Sequence, residues 1–380
     1  MRVLIFSTAY YPFVGGAEVA IKEITDRLGS EYEFDLITAR MDSKVPCVEQ
    51  IGAVNVYRVG WGIPVLDKWL LMKWGGWKAW QMNRKNKYDV AWSMMASWGG
   101  LAAWWFSVIT PSVPLVVTLQ EGDVIAERKF GLVALGWRLI LSRARLVTVI
   151  SNYLGAEARK FGYRGDVVLV PNGVDLGKFQ ISNFKFQNRL ELRAKYGLKE
   201  TDTVLITTSR LVEKNAVGDI IQSLKFLPEN VKLLIAGTGE LEQNLKFKIK
   251  NLKLESRVKI LGFINQEDLP LYLHAPDIFI RPSLSEGQGI SFLEAMAAGL
   301  PIIATPVGGI PDFLKDGETG LFCNVHDPKS IVEQVKRLSN NPVLHDHIIK
   351  QAQELISRDY SWDLLVERMR KEVFNKAVKK

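Results

Sequence analysis

The sequence predicts an α/β architecture of two Rossmann-like, doubly wound domains facing a central cleft, and three observations lead there. Short β-rich apolar runs alternate with amphipathic helical stretches along the whole chain, the pattern of βα units around parallel sheets. These runs fall into two series, separated by a stretch poor in apolar runs from Asp175 to about Glu200. A chain of 380 residues also exceeds what one hydrophobic core usually supports.

The first series comprises VLIFST (3–8), FDLITA (34–39), DVAWSM (89–94), PLVVTL (114–119), LVTVIS (146–151) and VVLVPN (167–172). The second comprises TVLITTS (203–209), KLLIAG (232–237), VKILGF (258–263), IFIRPS (278–283) and PIIATP (301–306). Domains over 1–175 and 200–355 follow, joined by a linker. A helical C-terminal segment, 360–380, is expected as a separate element able to cross back to the first domain; its docking side is not readable from pattern. Residues 90–120 carry no charge, and Val90 to Thr110 approaches the length of a bilayer span. Gly99, Gly100 and Pro111 divide it into strand, helix and strand, so a buried or membrane-touching helix is expected instead of a spanning one.

Composition is that of a folded protein, 47% hydrophobic and 24% charged, with no low-complexity tract. Two cysteines, Cys47 and Cys323, cannot make a disulfide framework, so reduced thiols and a cytoplasmic address are expected. The opening MRVLIFSTAYYPF lacks a small-residue cleavage site and reads as a buried strand.

The net charge of +8 is concentrated. Between Arg58 and Lys87 stand Arg58, Lys68, Lys73, Lys78, Arg84, Lys85 and Lys87 against Asp67 alone, with Trp61, Trp69, Trp74, Trp77 and Trp80 among them. From Leu66 the apolar residues recur at helical spacing through Trp69, Leu70, Trp74, Trp77 and Trp80. Two readings stand: an interfacial helix on anionic lipid, with peripheral membrane contact through 61–85, or an amphipathic helix covering the first sheet. The apolar helix around Ala102 to Ile109, with Trp104, Trp105 and Phe106, is expected to meet lipid or a partner as well. No nucleic-acid-binding module is recognisable.

The most informative stretch is RPSLSEGQGISFLEAMAAG, 281–299. A strand, a loop with two glycines and a helix beginning near Ser291 make a site for a diphosphate, because backbone approaches closely and the helix start offers N–H groups. A loop carboxylate there, Glu286, suits sugar hydroxyls, and a helix carboxylate, Glu294, suits a ribose. Ser291 and Glu294 equally fit a capping box, which would use Glu294 structurally. Arg210 and Lys214 lie just beyond the first strand of the second series, where ligands bind such sheets. His274, His326, His345 and His347 show no ligand spacing and no Asp-x-Asp occurs, so no metal is expected and the cations must come from the protein. Gly15-Gly16-Ala17-Glu18 follows the first strand without a dinucleotide fingerprint.

The blocks GGAE (15–18), VISNYL (149–154), PNGVD (171–175), SRLVEK (209–214), AGTGEL (236–241), PSLSEGQGISFLEAMAAGLPIIAT (282–305) and GGIPD (308–312) resemble, in order, those of the retaining glycosyltransferases of family 4, which have the GT-B fold. The resemblance spans essentially the whole chain, and the block from Glu286 to Glu294 is its most specific part. It implies a UDP- or GDP-sugar as cosubstrate, no other cofactor, and a glycan or lipid-linked acceptor. It further implies Glu286 on the donor sugar, Glu294 on the ribose, and Arg210 and Lys214 on the diphosphate. The amides of Gln288, Gly289, Ile290 and Ser291 assist, and Gly15 and Gly16 touch the donor phosphate. Many members carry a histidine after the fourth strand of the first domain, where this chain has Gln120 followed by Glu121. Gln120 can bond a sugar hydroxyl but cannot take a proton, and with Glu121 it is the candidate acceptor or sugar contact. Alternatives left open are another GT-B activity, such as a sugar-nucleotide epimerase, and a non-catalytic sugar-binding scaffold.

Overall fold

The computed structural model describes residues 1–122, 131–179 and 185–379. The chain divides into two compact units, Met1–Gly173 with Trp362–Lys380, and Val174–Ser361.

The first unit is built on an eight-stranded sheet of β1 (Arg2–Phe6), β2 (Glu33–Ala39), β3 (Val48–Ile51), β4 (Val54–Val59), β5 (Val90–Met94), β6 (Leu115–Leu119), β7 (Ala144–Val149) and β8 (Asp166–Leu169), in the order β3-β4-β2-β1-β5-β6-β7-β8. All neighbours are parallel except β3 with β4. Strands β5 and β6 are buried throughout, as continuous apolar runs in a covered parallel sheet should be. Strand β4, absent from the expected series, alternates: Val54 and Val56 are buried, whereas Asn55 reaches Asp35 at 3.1 Å.

The tryptophan-rich stretch forms helices Pro64–Leu70 and Gly76–Asn86, joined by a wider turn. Its buried stripe is Leu71, Gly75, Ala79 and Met82, in which the small Gly75 and the neighbouring Gly76 let the backbone approach helix Trp98–Ile109 near Ala102. Four of the five tryptophans lie outside that stripe, Trp61 67% exposed, Trp69 53%, Trp74 56% and Trp77 44%, whereas Trp80 is partly buried against the core. Asp67 is fully buried and fixes the entry to this segment, accepting from the N–H groups of Met41, Trp61, Gly62 and Ile63 at 2.7–3.1 Å. Among the described residues no helix is long and apolar enough to cross a membrane.

The C-terminal segment belongs to this unit, with Phe374 against Trp92 and Tyr32 at ring distances of 5.4 and 5.9 Å.

The second unit holds six parallel strands, β9 (Thr203–Thr208), β10 (Val231–Ala236), β11 (Val258–Gly262), β12 (Ile278–Arg281), β13 (Ile302–Ala304) and β14 (Leu321–Phe322), ordered β11-β10-β9-β12-β13-β14. The stretch expected as a linker contributes helices Leu176–Phe179 and Lys185–Lys195 to this unit. It reads as polar because it is held by charge: Arg189 and Arg193 pair with Asp277 at 2.6 and 2.8 Å.

Candidate active site

In the second unit the chain leaves β9 towards β10 on one side and returns to place β12 on the other, so the strand order reverses between β9 and β12. Ligands of open parallel sheets bind at the carboxyl ends of the strands flanking such a reversal. The loop after β9 carries Arg210, exposed, and Lys214, half-buried; the loop after β12 carries Glu286 and the Gln288–Ser291 backbone. The two loops are joined directly, since the Leu284 N–H donates to the Lys214 carbonyl at 2.7 Å.

Glu286 is buried. One carboxylate oxygen accepts from Arg281 Nη2, and the other accepts from the Gly287 N–H at 3.1 Å. Arg281 Nη2 also donates to Asn215 Oδ1 at 2.9 Å, and Nη1 donates to Ser291 Oγ at 2.9 Å. Asn215 Nδ2 in turn donates to the Arg210 carbonyl at 2.6 Å. The loop after β13 closes from behind, where the Gly309 N–H donates to the Glu286 carbonyl at 3.1 Å. Gly308 there has φ +56, and a Cβ would stand 1.8 Å from that carbonyl oxygen, so no other residue fits.

Helix Ile290–Ala297 starts from Gly289, whose φ of +83 turns the chain. A Cβ on Gly289 would meet the Phe292 ring at 2.6 Å and the Glu286 carboxyl at 3.2 Å. Ser291 therefore sits inside the helix, not at its cap, and its hydroxyl partner is Arg281. Of the two readings of Ser291 and Glu294, the capping box is not formed. Glu294 instead is buried and accepts from Gln266 Nε2 at 3.1 Å. Burial pushes its carboxyl up to about 7, against the Gln266 hydrogen bond and the Lys178 charge, which pull it down.

In the first unit the corresponding reversal lies between β1 and β5. Gly15 and Gly16 are exposed at the start of helix Gly16–Leu28, where the Gly15 N–H donates to Glu18 Oε2 at 2.8 Å; burial pushes the Glu18 carboxyl up. Thr8, after β1, and Ser97, after β5, share a hydroxyl hydrogen bond of 2.8 Å. Glu121 is buried after β6, its two oxygens accepting from the Ala96 N–H at 2.6 Å and the Gln120 N–H at 3.1 Å. Gln120 pairs with Asn172 through both amide groups, at 3.1 and 3.3 Å. Asp123 lies outside the described residues.

The predicted residues thus gather in two places, Arg210, Lys214, Glu286, Gln288–Ser291 and Glu294 in the second unit, and Gly15, Gly16, Gln120 and Glu121 in the first. Residues that sequence reasoning missed are Arg281, Asn215, Gln266 and Asn172. Two of them left a signal, Arg281 as a charge closing the apolar run IFI and Asn172 as a member of the PNGVD block. Among the described residues no group of three or more His, Cys, Asp or Glu side chains is placed to hold a metal ion.

Two family models match the chain: Glycosyltransferase Family 4 over residues 14–178, and Glycosyl transferases group 1 over residues 188–355. The chain is 26% identical over 378 residues to an uncharacterised glycosyltransferase of Methanocaldococcus jannaschii, covering 96% of this chain and 95% of the relative. It is 25% identical over 362 residues to the alpha-monoglucosyldiacylglycerol synthase of Streptococcus pneumoniae, covering 92% and 81%. Among solved structures, Anabaena HepE in complex with UDP and glucose superposes with a TM-score of 0.80 at 20% identity, over 99% of this chain and 100% of the other. That likeness gives the GT-B fold expected from the sequence.

Proposed function

Because the chain belongs to glycosyltransferase family 4, we propose that it moves a hexose-type sugar from a UDP- or GDP-sugar, with retention of anomeric configuration, to a glycan or lipid-linked acceptor at the cytoplasmic face of a membrane. The observation that carries this reading is the joining of Glu286, the Arg210–Lys214 loop and the helix start at Gly289 around one strand reversal.

In this mechanism the diphosphate lies on the amides of Gln288 to Ser291, with Arg210 and Lys214 taking up the charge that develops as it leaves. Glu294 accepts from the ribose hydroxyls and Glu286 from those of the sugar. The anomeric carbon–oxygen bond to the phosphate breaks as the acceptor oxygen bonds to that carbon on the same face. The acceptor proton passes to the departing phosphate oxygen, so no protein nucleophile and no metal are required. Gln120 with Asn172 is assigned to acceptor hydroxyls, on a loop that Glu121 holds in shape.

A lipid-linked acceptor is favoured by the exposed tryptophans of residues 61–77 beside Lys68, Lys73 and Lys78, a pairing suited to an anionic bilayer surface. The pneumococcal relative is named for a monoglucosyldiacylglycerol product, in keeping with this.

The test is transfer of radiolabel from UDP-glucose, UDP-galactose, UDP-N-acetylglucosamine and GDP-mannose to a membrane lipid extract, with wild type beside Glu286→Ala. Transfer from one donor, abolished in a variant of unchanged thermal midpoint, is expected. Full activity in the variant removes Glu286 from the mechanism.

A further inference from the structure

We infer that Arg281 is the positioning residue of this site, a buried guanidinium that fixes the Glu286 carboxylate and joins it to the Arg210–Lys214 loop. This rests on the reading of Glu286 as the sugar contact.

Arg281 ends the otherwise apolar strand β12 and is buried, a place where a charge persists only if paired; both terminal nitrogens are engaged, while Nε has no hydrogen-bond partner. Its fork reaches three segments at once: Ser291 at the helix start, Asn215 in the loop after β9, and Glu286 in the loop after β12. The guanidinium plane also stands over the Phe292 ring at 5.2 Å, which sets its orientation. Each segment it holds carries one of the proposed ligand contacts. Asn215 passes the restraint to the backbone of Arg210 at 2.6 Å, and Ser291 belongs to the amide run assigned to the diphosphate.

A carboxylate held through one oxygen by Arg281 and through the other by the Gly287 N–H has one orientation, with its remaining lone pairs set for sugar hydroxyls. Lysine presents no planar fork and cannot serve three acceptors in this geometry. The guanidinium itself is enclosed by these partners, so Arg281 acts on the substrate through Glu286.

The experiment measures steady-state nucleoside diphosphate release with UDP-glucose and with GDP-mannose for Arg281→Met, Arg281→Lys, Glu286→Gln and the Arg281→Met/Glu286→Gln double variant. Misplacing a reacting group by about 1 Å costs about a hundredfold, so Arg281→Met is expected to lower kcat by about that factor. The donor KM is expected to move by less than about threefold, because Arg210, Lys214 and the amides remain. The double variant is expected to fall no more than about threefold below Glu286→Gln, since both changes remove one device. If Arg281→Met does not fold, Arg281→Lys is expected to keep a wild-type thermal midpoint while kcat falls at least about tenfold.

Wild-type kcat in Arg281→Lys or Arg281→Met, or losses that multiply in the double variant while Glu286→Gln is itself impaired but measurable, would overturn the inference and leave the function standing. Full activity in Glu286→Gln removes the sugar-contact reading, and this inference with it.

Discussion

Glu294→Gln separates the cost of Glu294 to the fold from its use to the ligand. The residue lies on helix Ile290–Ala297, buried, with a single hydrogen bond from Gln266. Its carboxyl is raised from 4.5 to about 7 by burial. The native state therefore holds this proton more tightly than the unfolded chain, and ionisation weighs against folding. The penalty is absent below pH 4.5, grows between 4.5 and 7, and is complete above 7, where the shift corresponds to about 3 kcal/mol. The neutral, isosteric amide escapes it. Glu294→Gln is therefore expected to be more stable than wild type by up to about 3 kcal/mol at pH 8, and by under about 1 kcal/mol at pH 5. For a unit of this size that is a rise in thermal midpoint of up to about 6–12 °C at pH 8. Hydrogen bonds to a charged group are worth about 1.5–3 kcal/mol, so the same variant should bind its donor nucleotide at least about tenfold more weakly. Thermal unfolding followed by circular dichroism at both pH values, with nucleotide titration by calorimetry, reads both effects. A variant no more stable than wild type at pH 8, with unchanged nucleotide affinity, would refute the reasoning.

Two further predictions concern metal and membrane. Sugar transfer is expected to stay within about twofold of its untreated rate in EDTA, because Arg210 and Lys214 are assigned the leaving charge; loss of transfer restored by added magnesium or manganese would contradict that assignment. Binding to vesicles rich in anionic lipid is expected to weaken at least about tenfold in Trp61→Ala/Trp69→Ala/Trp74→Ala and to fall with added salt; cosedimentation unchanged by either would return the tryptophans to another role.

Strands that run as continuous apolar segments, such as β1, β5, β6 and β9, were legible because both faces of a parallel sheet are covered. Strands β3 and β4 were not, since they pair antiparallel at the sheet edge and alternate in burial. The stretch 64–86 was legible as helical and amphipathic, while the sequence left open whether its tryptophan stripe covers the sheet or faces outward. Its packed stripe is Leu71, Gly75, Ala79 and Met82, where the glycine and alanine let two helices approach; Trp61, Trp69, Trp74 and Trp77 are exposed, whereas Trp80 packs partly buried against the core. The Glu286–Glu294 block was legible because its loop and helix are consecutive in sequence. Arg281 with Asn215, Gln266 with Glu294, and Gln120 with Asn172 were not, because these contacts span 66, 28 and 52 residues, separations that only the fold closes.

The central claim, a nucleotide-sugar site on the second unit, is tested most directly by thermal shift with UDP, GDP and ADP and their common sugar conjugates, wild type beside Lys214→Ala. The account predicts stabilisation by one nucleotide series, UDP or GDP, that is lost in Lys214→Ala while the unliganded midpoint is unchanged. A wild-type midpoint unmoved by every nucleotide, or a shift that Lys214→Ala retains in full, would contradict it.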